Sequence, residues 1–421
     1  MDVFTQARAE LSLLEDKERR LRKELLDVRT AITTQRAKIT ELLRTRAAAI
    51  NHLPTEILLF IFDLDVHSNP YPGRNYELAA VCRRWRDVVL DSPSLWTTIH
   101  VADLKPSSII THLERSRGAF LDIVIDSTDR GQAYHFAHVP SLQIVSSCAD
   151  RWRNLSITIR GGIYYDDDGR VPRMECILRE INYLKFPSLT CAKLVSHSDF
   201  HYLDFLSAGH APVLEHLELS NLALDLAVED FEDFGFPPVA ALKTLKLDFD
   251  GPVGPSLPYM IPAQALTVLS LTGHTDSLSL RQDSLHFPFL NTLEMIHFKN
   301  AREFVDAIVA PHLERFKYVS GEPGMLPTGT GSKFVNVRHI HLSYPGSLCG
   351  HPLTRYFNAD ATCESFPNVR HVELRADDWS HLFHPWPHRP IERWTELESL
   401  TFCGLHPNWL ESDQFPAWLV K

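Results

Sequence analysis

The chain has 421 residues, of which 44% are apolar and 23% charged, enough for two or three domains with real cores, which excludes wholesale disorder. No apolar run reaches the ~20 residues of a spanning helix and Met1 to Glu10 carries no signal-type segment, so the expectation is a cytoplasmic or nuclear protein with no membrane partner. Of the net charge of -11, residues 1–50 carry +3, residues 51–98 carry -2 and residues 99–421 carry -12; so acidic a body excludes the concentrated basic surface of a general nucleic-acid binder.

From Arg8 to Ala49 neither Gly nor Pro interrupts a run of strong helix formers, which predicts a coiled-coil helix over 1–49. Heptad a positions fall on Leu11, Glu18, Leu25, Ile32, Ile39 and Arg46, and d positions on Leu14, Leu21, Val28, Gln35, Leu42 and Ala49. A straight helix over this stretch spans roughly 63 Å, and it cannot bury its own seam. A homodimer, a different coiled-coil partner and packing on the chain's own body all answer that need.

After Ala49 the pattern shortens. In INHLPTEILLFIFDLDV, Pro54 suits the first helical position and Glu56 the positive helix end, and Ile57, Leu58, Ile61 and Phe62 are expected to share a face. HSNPYPGRN (67–75) breaks this helix, and Tyr76 to Leu90 starts another, with Leu78, Val81, Cys82, Trp85, Val88 and Val89 at helical spacing. Two such helices cannot enclose a core, so apolar surface is left for another element or another protein.

The order LPTEIL, then IF, then LAAVCRRWRDVVLDSPSLWTTIHV resembles the F-box-like domain common in fungal proteins, over residues 50–101. The resemblance implies docking on a Skp-family adaptor and, through it, on the cullin scaffold of a ubiquitin ligase. Leu53, Pro54, Ile57, Ile61, Leu78, Val81 and Trp85 are then expected to face the adaptor, with Leu95 and Trp96 packing toward the following domain. The plainer reading makes these residues the core of a small helical cap. The linker between the helices is longer and richer in Pro and Gly than in compact members of that family.

Residues 186–404 repeat one phrase, an apolar-Pro pair or its equivalent followed by L-x-x-L-x-L. It reads FPSLTCAKL, APVLEHLEL, VAALKTLKL, AQALTVLSL, FPFLNTLEM, APHLERFKY, FVNVRHIHL, FPNVRHVEL and WTELESLTF. The opening aliphatics, Leu189, Leu214, Leu242, Leu266, Leu290, Leu313, Val337, Val369 and Leu397, are 23 to 32 residues apart, a leucine-rich-repeat period with insertions. FLDIVID and RNLSITI extend the pattern toward the N-terminus. The Asn or Cys usual three residues after L-x-L is missing, so irregular turns are expected. The predicted class is α/β: a coiled-coil helix (1–49), an all-α F-box-like module (50–101) and an irregular leucine-rich-repeat solenoid (102–421).

No nucleotide-binding, zinc-protease or nucleophile-elbow motif appears, which argues against an enzyme and leaves no cofactor to expect. The seven cysteines include no CxxC pair, which fits a reducing compartment. His381, His384 and His388, the Asp166 to Asp168 run and the Glu229 to Asp233 group all lack metal-site spacing, so no metal is expected. Three consecutive phrases place Arg315, Lys317, His339, His341, His371 and Arg375 on one strand face, together with Glu373. These form a candidate site for an acidic or phosphorylated segment of an unknown protein substrate. The leading reading is a non-catalytic substrate receptor of a Skp-cullin-F-box ubiquitin ligase; the alternative is a scaffold that acts without ubiquitin.

Overall fold

A computed structural model describes residues 2–45, 50, 53–68, 73–101, 104–128, 139–160, 173–196, 203–222, 242–253, 261–275, 280–298, 301–319, 333–343, 359–375, 382 and 389–403. The chain divides into one unit of Met1–Pro70 with Arg74–Asp91 and a second of Tyr71–Gly73 with Ser92–Lys421. The first unit is helical: α1 (Val3–Thr45), α2 (Thr55–Ser68), α3 (Arg74–Val81) and α4 (Arg83–Asp91). Residues 92–101, expected within the helical module, fall in the second unit. Pro93–Trp96 forms a single 3-10 turn that delivers the chain into a strand, with Leu95 and Trp96 buried.

The second unit opens with β1 (Thr98–His100), α5 (Pro106–Arg115), β2 (Leu121–Thr128), α6 (Val139–Ser146), β3 (Trp152–Arg160), α7 (Arg173–Ile181) and β4 (Cys191–Ser196). It continues with β5 (His216–Leu222), β6 (Thr244–Val253), β7 (Val268–Thr275), β8 (Leu285–His286), β9 (Thr292–Ile296), α8 (Ala301–Ala307) and β10 (Ile308–Val309). The last elements are β11 (Arg315–Val319), β12 (His339–Ser343), α9 (Ala359–Ser365), β13 (His371–Arg375) and β14 (Ser399–Cys403). Twelve of these strands form one sheet in chain order, every pair parallel, while β8 and β10 pair with each other alone. All nine repeat phrases end on strands of this sheet, and FLDIVID and RNLSITI supply β2 and β3. The short β1 and the β8–β10 pair have no signal in the phrase pattern.

The phrase itself is a turn followed by a strand. Its first residue accepts a hydrogen bond from the backbone N–H of the opening aliphatic: Phe186 from Leu189, Ala211 from Leu214, Phe287 from Leu290, Ala310 from Leu313, Phe334 from Val337 and Trp394 from Leu397. Pro in the second place is preset for such a turn. One carbonyl just before each strand then accepts two N–H groups from the next unit. Thr190 receives Glu215 and His216, Glu215 receives Lys243 and Thr244, and the pattern continues through Arg370, which receives Glu398 and Ser399. In place of an Asn ladder after the strands, two asparagines serve before them: Asn336 donates to the Pro311 carbonyl and Asn368 to that of Val335. Of the places three residues after L-x-L, those held by His197, Gly321, Pro345, Asp377 and Leu405 lie outside the described residues.

Alternation along each strand sends one set of side chains inward. Ile99, Ile123, Leu155, Ala192, Leu217, Leu245, Leu269, Leu293, Phe316, Ile340 and Val372 stand in register as one row, none more than 2% exposed. Aromatic side chains fill the space beneath: Phe186 lies 5.2 Å from Trp152, and Phe366 4.9 Å from Phe316. Two indole N–H groups are satisfied there, Trp152 donating to the Val145 carbonyl and Trp394 to that of Phe366.

Two positions make the fold testable. Gly273 has φ of +109°, and a Cβ there would stand 2.2 Å from the Phe249 carbonyl oxygen of the neighbouring strand. Gly273→Ala is expected to destabilise the sheet by at least about 1–3 kcal/mol, whereas Gly118→Ala, with nothing within 4 Å, leaves the urea midpoint within error. His112, buried on α5 with its ring 5.1 Å edge-on to Trp96, has its pKa pushed down to about 4, chiefly by burial. The unfolded chain therefore binds this proton first. Stability is full above pH ~6.5 and falls toward pH 4 by as much as ~3 kcal/mol, a slope that His112→Gln should flatten in urea titrations across that window.

Candidate functional site

The helical unit buries one side of α2 and exposes the other. Leu58 and Phe62, one turn apart, are fully buried, and the Phe62 ring meets Trp85 of α4 at 4.7 Å. Leu78 of α3, with Val88 and Val89 of α4, is buried as well. Arg84 of α4 ties down the segment before α2 by donating to the Leu53 carbonyl, and Arg74 of α3 pairs with Asp65 of α2 at 2.6 Å. The opposite side of α2 carries Ile57, Phe60, Ile61 and Leu64, between 37% and 62% exposed, and Val81 at the end of α3 is exposed too.

This divides the expected adaptor-facing set. Pro54, Ile57, Ile61 and Val81 lie on the surface, and Leu53 is half-buried. Leu78 is instead an interior residue, and Trp85, like Leu53, is half-buried. The expected shared face of Ile57, Leu58, Ile61 and Phe62 also divides: successive helical residues are about 100° apart, and here the first of each adjacent pair points outward and the second inward. Phe60 and Leu64 escape the sequence reading, although the spacing of Ile57, Phe60, Ile61 and Leu64 is that of one helix stripe.

On the sheet, the register brings the candidate basic residues together in two outward rows, Arg315–His339–His371 and Lys317–His341–Glu373, with Arg375 beside Ser343 in a third. Carboxylates from the same and neighbouring strands join them. The Lys317 ammonium is 3.9 Å from Glu294 of β9, His341 Nδ1 is 3.0 Å from Glu373, and His371 Nδ1 is 2.8 Å from the Ser399 hydroxyl. Glu398 lies 3.8 Å from the far side of the His371 ring. The hydrogen bond from His341 holds the Glu373 carboxyl below the usual carboxylate range. His339 stacks on His371 at 4.5 Å, and partial burial, His371 and Arg315 together hold its pKa below the ordinary histidine value.

The candidate basic residues therefore stand in a row of mixed charge. Read across from β4, the central positions are Lys193, Glu218, Lys246, Ser270, Glu294, Lys317, His341 and Glu373. Lys193 and Glu218 pair at 2.6 Å, and the Ser270 hydroxyl donates to Glu294 at 3.2 Å. Only Arg315 and Arg375 of the six candidates are exposed side chains with no ion pair among the described residues. His381, His384, His388 and the two acidic groups singled out in the sequence lie outside the described residues, and among the described residues no group of three potential ligands could hold a metal.

Residues 50–102 match the F-box-like family, running from the helical unit into the first strand of the sheet. No curated protein matches the chain. An F-box-like domain points to adaptor binding in ubiquitin-ligase complexes of the F-box type. The division of α2 into two faces has a direct test. Phe62→Ala should cost about 3–5 kcal/mol and speed amide hydrogen exchange throughout α2–α4; Phe60→Ser, on the exposed stripe, should change exchange by less than about 1 kcal/mol.

Proposed function

We propose that the chain is a non-catalytic substrate receptor of a Skp-cullin-F-box ubiquitin ligase. The F-box-like helices dock on a Skp-type adaptor, and the outward face of the parallel sheet holds a protein segment. The observation that carries the first half is the apolar stripe of Ile57, Phe60, Ile61 and Leu64, exposed on a helix whose other face is closed by Leu58 and Phe62. A short helix that packs its buried face on its own unit and still presents four large apolar side chains needs a partner to remove them from water. Val81 adds to that surface, and Leu78 and Trp85 support it from within.

The strict chain order of the sheet, with a 23–32-residue interval between phrases, supports reading it as a leucine-rich-repeat solenoid. At about 4.8 Å per strand its outward face extends roughly 50 Å, which suits a protein segment better than a small molecule. The receptor acts by proximity: it holds the substrate beside a ubiquitin-carrying enzyme on the shared scaffold and itself makes or breaks no bond.

Binding of the purified chain to a Skp-type adaptor, followed by calorimetry, tests the reading. Ile57→Asp with Phe60→Asp should weaken it by at least about 30-fold, the loss of a ~2 kcal/mol hot spot, while hydrogen exchange reports α2–α4 as folded. Unchanged affinity in the folded variant, or no binding by the parent, overturns the proposal. Adaptor binding with no incorporation into a cullin complex would favour the scaffold alternative.

A further inference from the structure

The seam of α1 lies open along its length: Leu11, Leu14, Leu21, Leu25, Val28, Ile32, Ile39 and Leu42 are each between 48% and 59% exposed. Within the helical unit, no described residue buries it. Between Leu11 and Leu42 two polar residues interrupt the stripe, Glu18 at an a position and Gln35 at a d position; Arg46, the third polar seam position, lies outside the described residues. Their placement tells which partner fits.

In a parallel pair, a positions meet a positions and d positions meet d positions. Glu18 would then face Glu18 of the second copy, two like charges in the seam, and the flanking positions would set Glu10 against Glu15 and Lys17 against Arg22, with one favourable pair, Glu24 with Arg29. In an antiparallel pair, a positions meet d positions. One alignment then closes every layer: Leu11 on Leu42, Leu14 on Ile39, Leu21 on Ile32, Leu25 on Val28, and Glu18 on Gln35. All eight apolar residues meet apolar ones, and the two polar residues meet each other, once on each side of the twofold axis.

A slip of one heptad destroys the match, because Glu18 would meet Val28 or Leu42 and Gln35 would meet Leu25 or Leu11. The flanking positions do not separate the two orientations, since this alignment sets Glu15 against Arg36 but also Lys17 against Lys38 and Arg22 against Arg29; the seam layers do. Arg22 already holds Glu18 at 2.6 Å within the helix, and Arg36 and Lys38 of the second copy would flank Gln35 opposite it. We infer that α1 pairs with α1 of a second copy as an antiparallel two-helix coiled coil in this alignment, with Glu18 opposite Gln35. Pairing through α1 is independent of adaptor binding.

The full chain is the material for the test, by sedimentation equilibrium across the micromolar range. The parent should show twice its 48.0 kDa mass, and Leu25→Glu with Ile32→Glu should return it to the monomer while circular dichroism reports the remaining fold. Gln35→Lys separates the orientations. Antiparallel pairing sets the introduced ammonium against Glu18 and tightens the dimer by about 2- to 5-fold; parallel pairing sets it against the same ammonium of the second copy and weakens the dimer. A monomeric parent, a dimer that survives the double Glu variant, or a Gln35→Lys dimer that is unchanged or weaker each overturns the proposal.

Discussion

Every strand of the large sheet pairs with its neighbours in the chain, so each inward row is only as dry as the row beside it. Leu217 is buried because Ala192 and Leu245 lie in register on either side, and the same dependence passes from unit to unit. Stability in such an array is a sum of units and the contacts between successive ones. The turn that opens a phrase serves this arrangement twice: at Phe186, Ala211, Phe287, Ala310 and Phe334 its first residue is buried, and the residue that follows the turn presents a carbonyl that the next unit closes with two N–H groups. Insertions between units are tolerated because they lengthen connections without touching either device.

The helical unit is built the other way. Three short helices close a core around Leu58, Phe62 and Leu78 and leave comparable apolar surface outside. The sheet keeps its apolar residues internal, with polar outward rows, whereas the helical unit holds a share of them on its surface. An uncovered apolar stripe therefore calls for a partner at α2, while size and shape alone favour one at the sheet.

Much of this organisation is legible in the sequence. The nine phrases lie on adjacent strands because a turn and an alternating pair of aliphatics leave little choice of register. The helix Val3–Thr45 follows from a run of strong helix formers with neither Gly nor Pro. Less legible is which way a residue points. Ile57 and Leu58 are both apolar and adjacent, and composition alone does not say which one turns inward; the buried Phe62 one turn beyond Leu58 decides it. The charge balance around the candidate basic residues is hidden for a different reason. Three strands alone suggest a cationic patch, while Glu294, in the equivalent place of the preceding phrase, and Glu398, just before the following strand, supply opposite charge. Only the pairing of neighbours shows that the charges compensate.

The alternating Lys and Glu row has a kinetic consequence. Opposite charges one strand apart cancel at distances beyond the ~8–10 Å over which salt screens, so an approaching chain feels no attraction from the face until contact. What reaches farther is the field of the body itself, -12 over residues 99–421. An acidic ligand would be slowed by it and a basic one drawn in. The face itself adds no steering, so for a ligand of little net charge recognition on the sheet would start from an ordinary encounter, near ~10⁵–10⁷ per molar per second, and discrimination would reside in how long a bound segment stays.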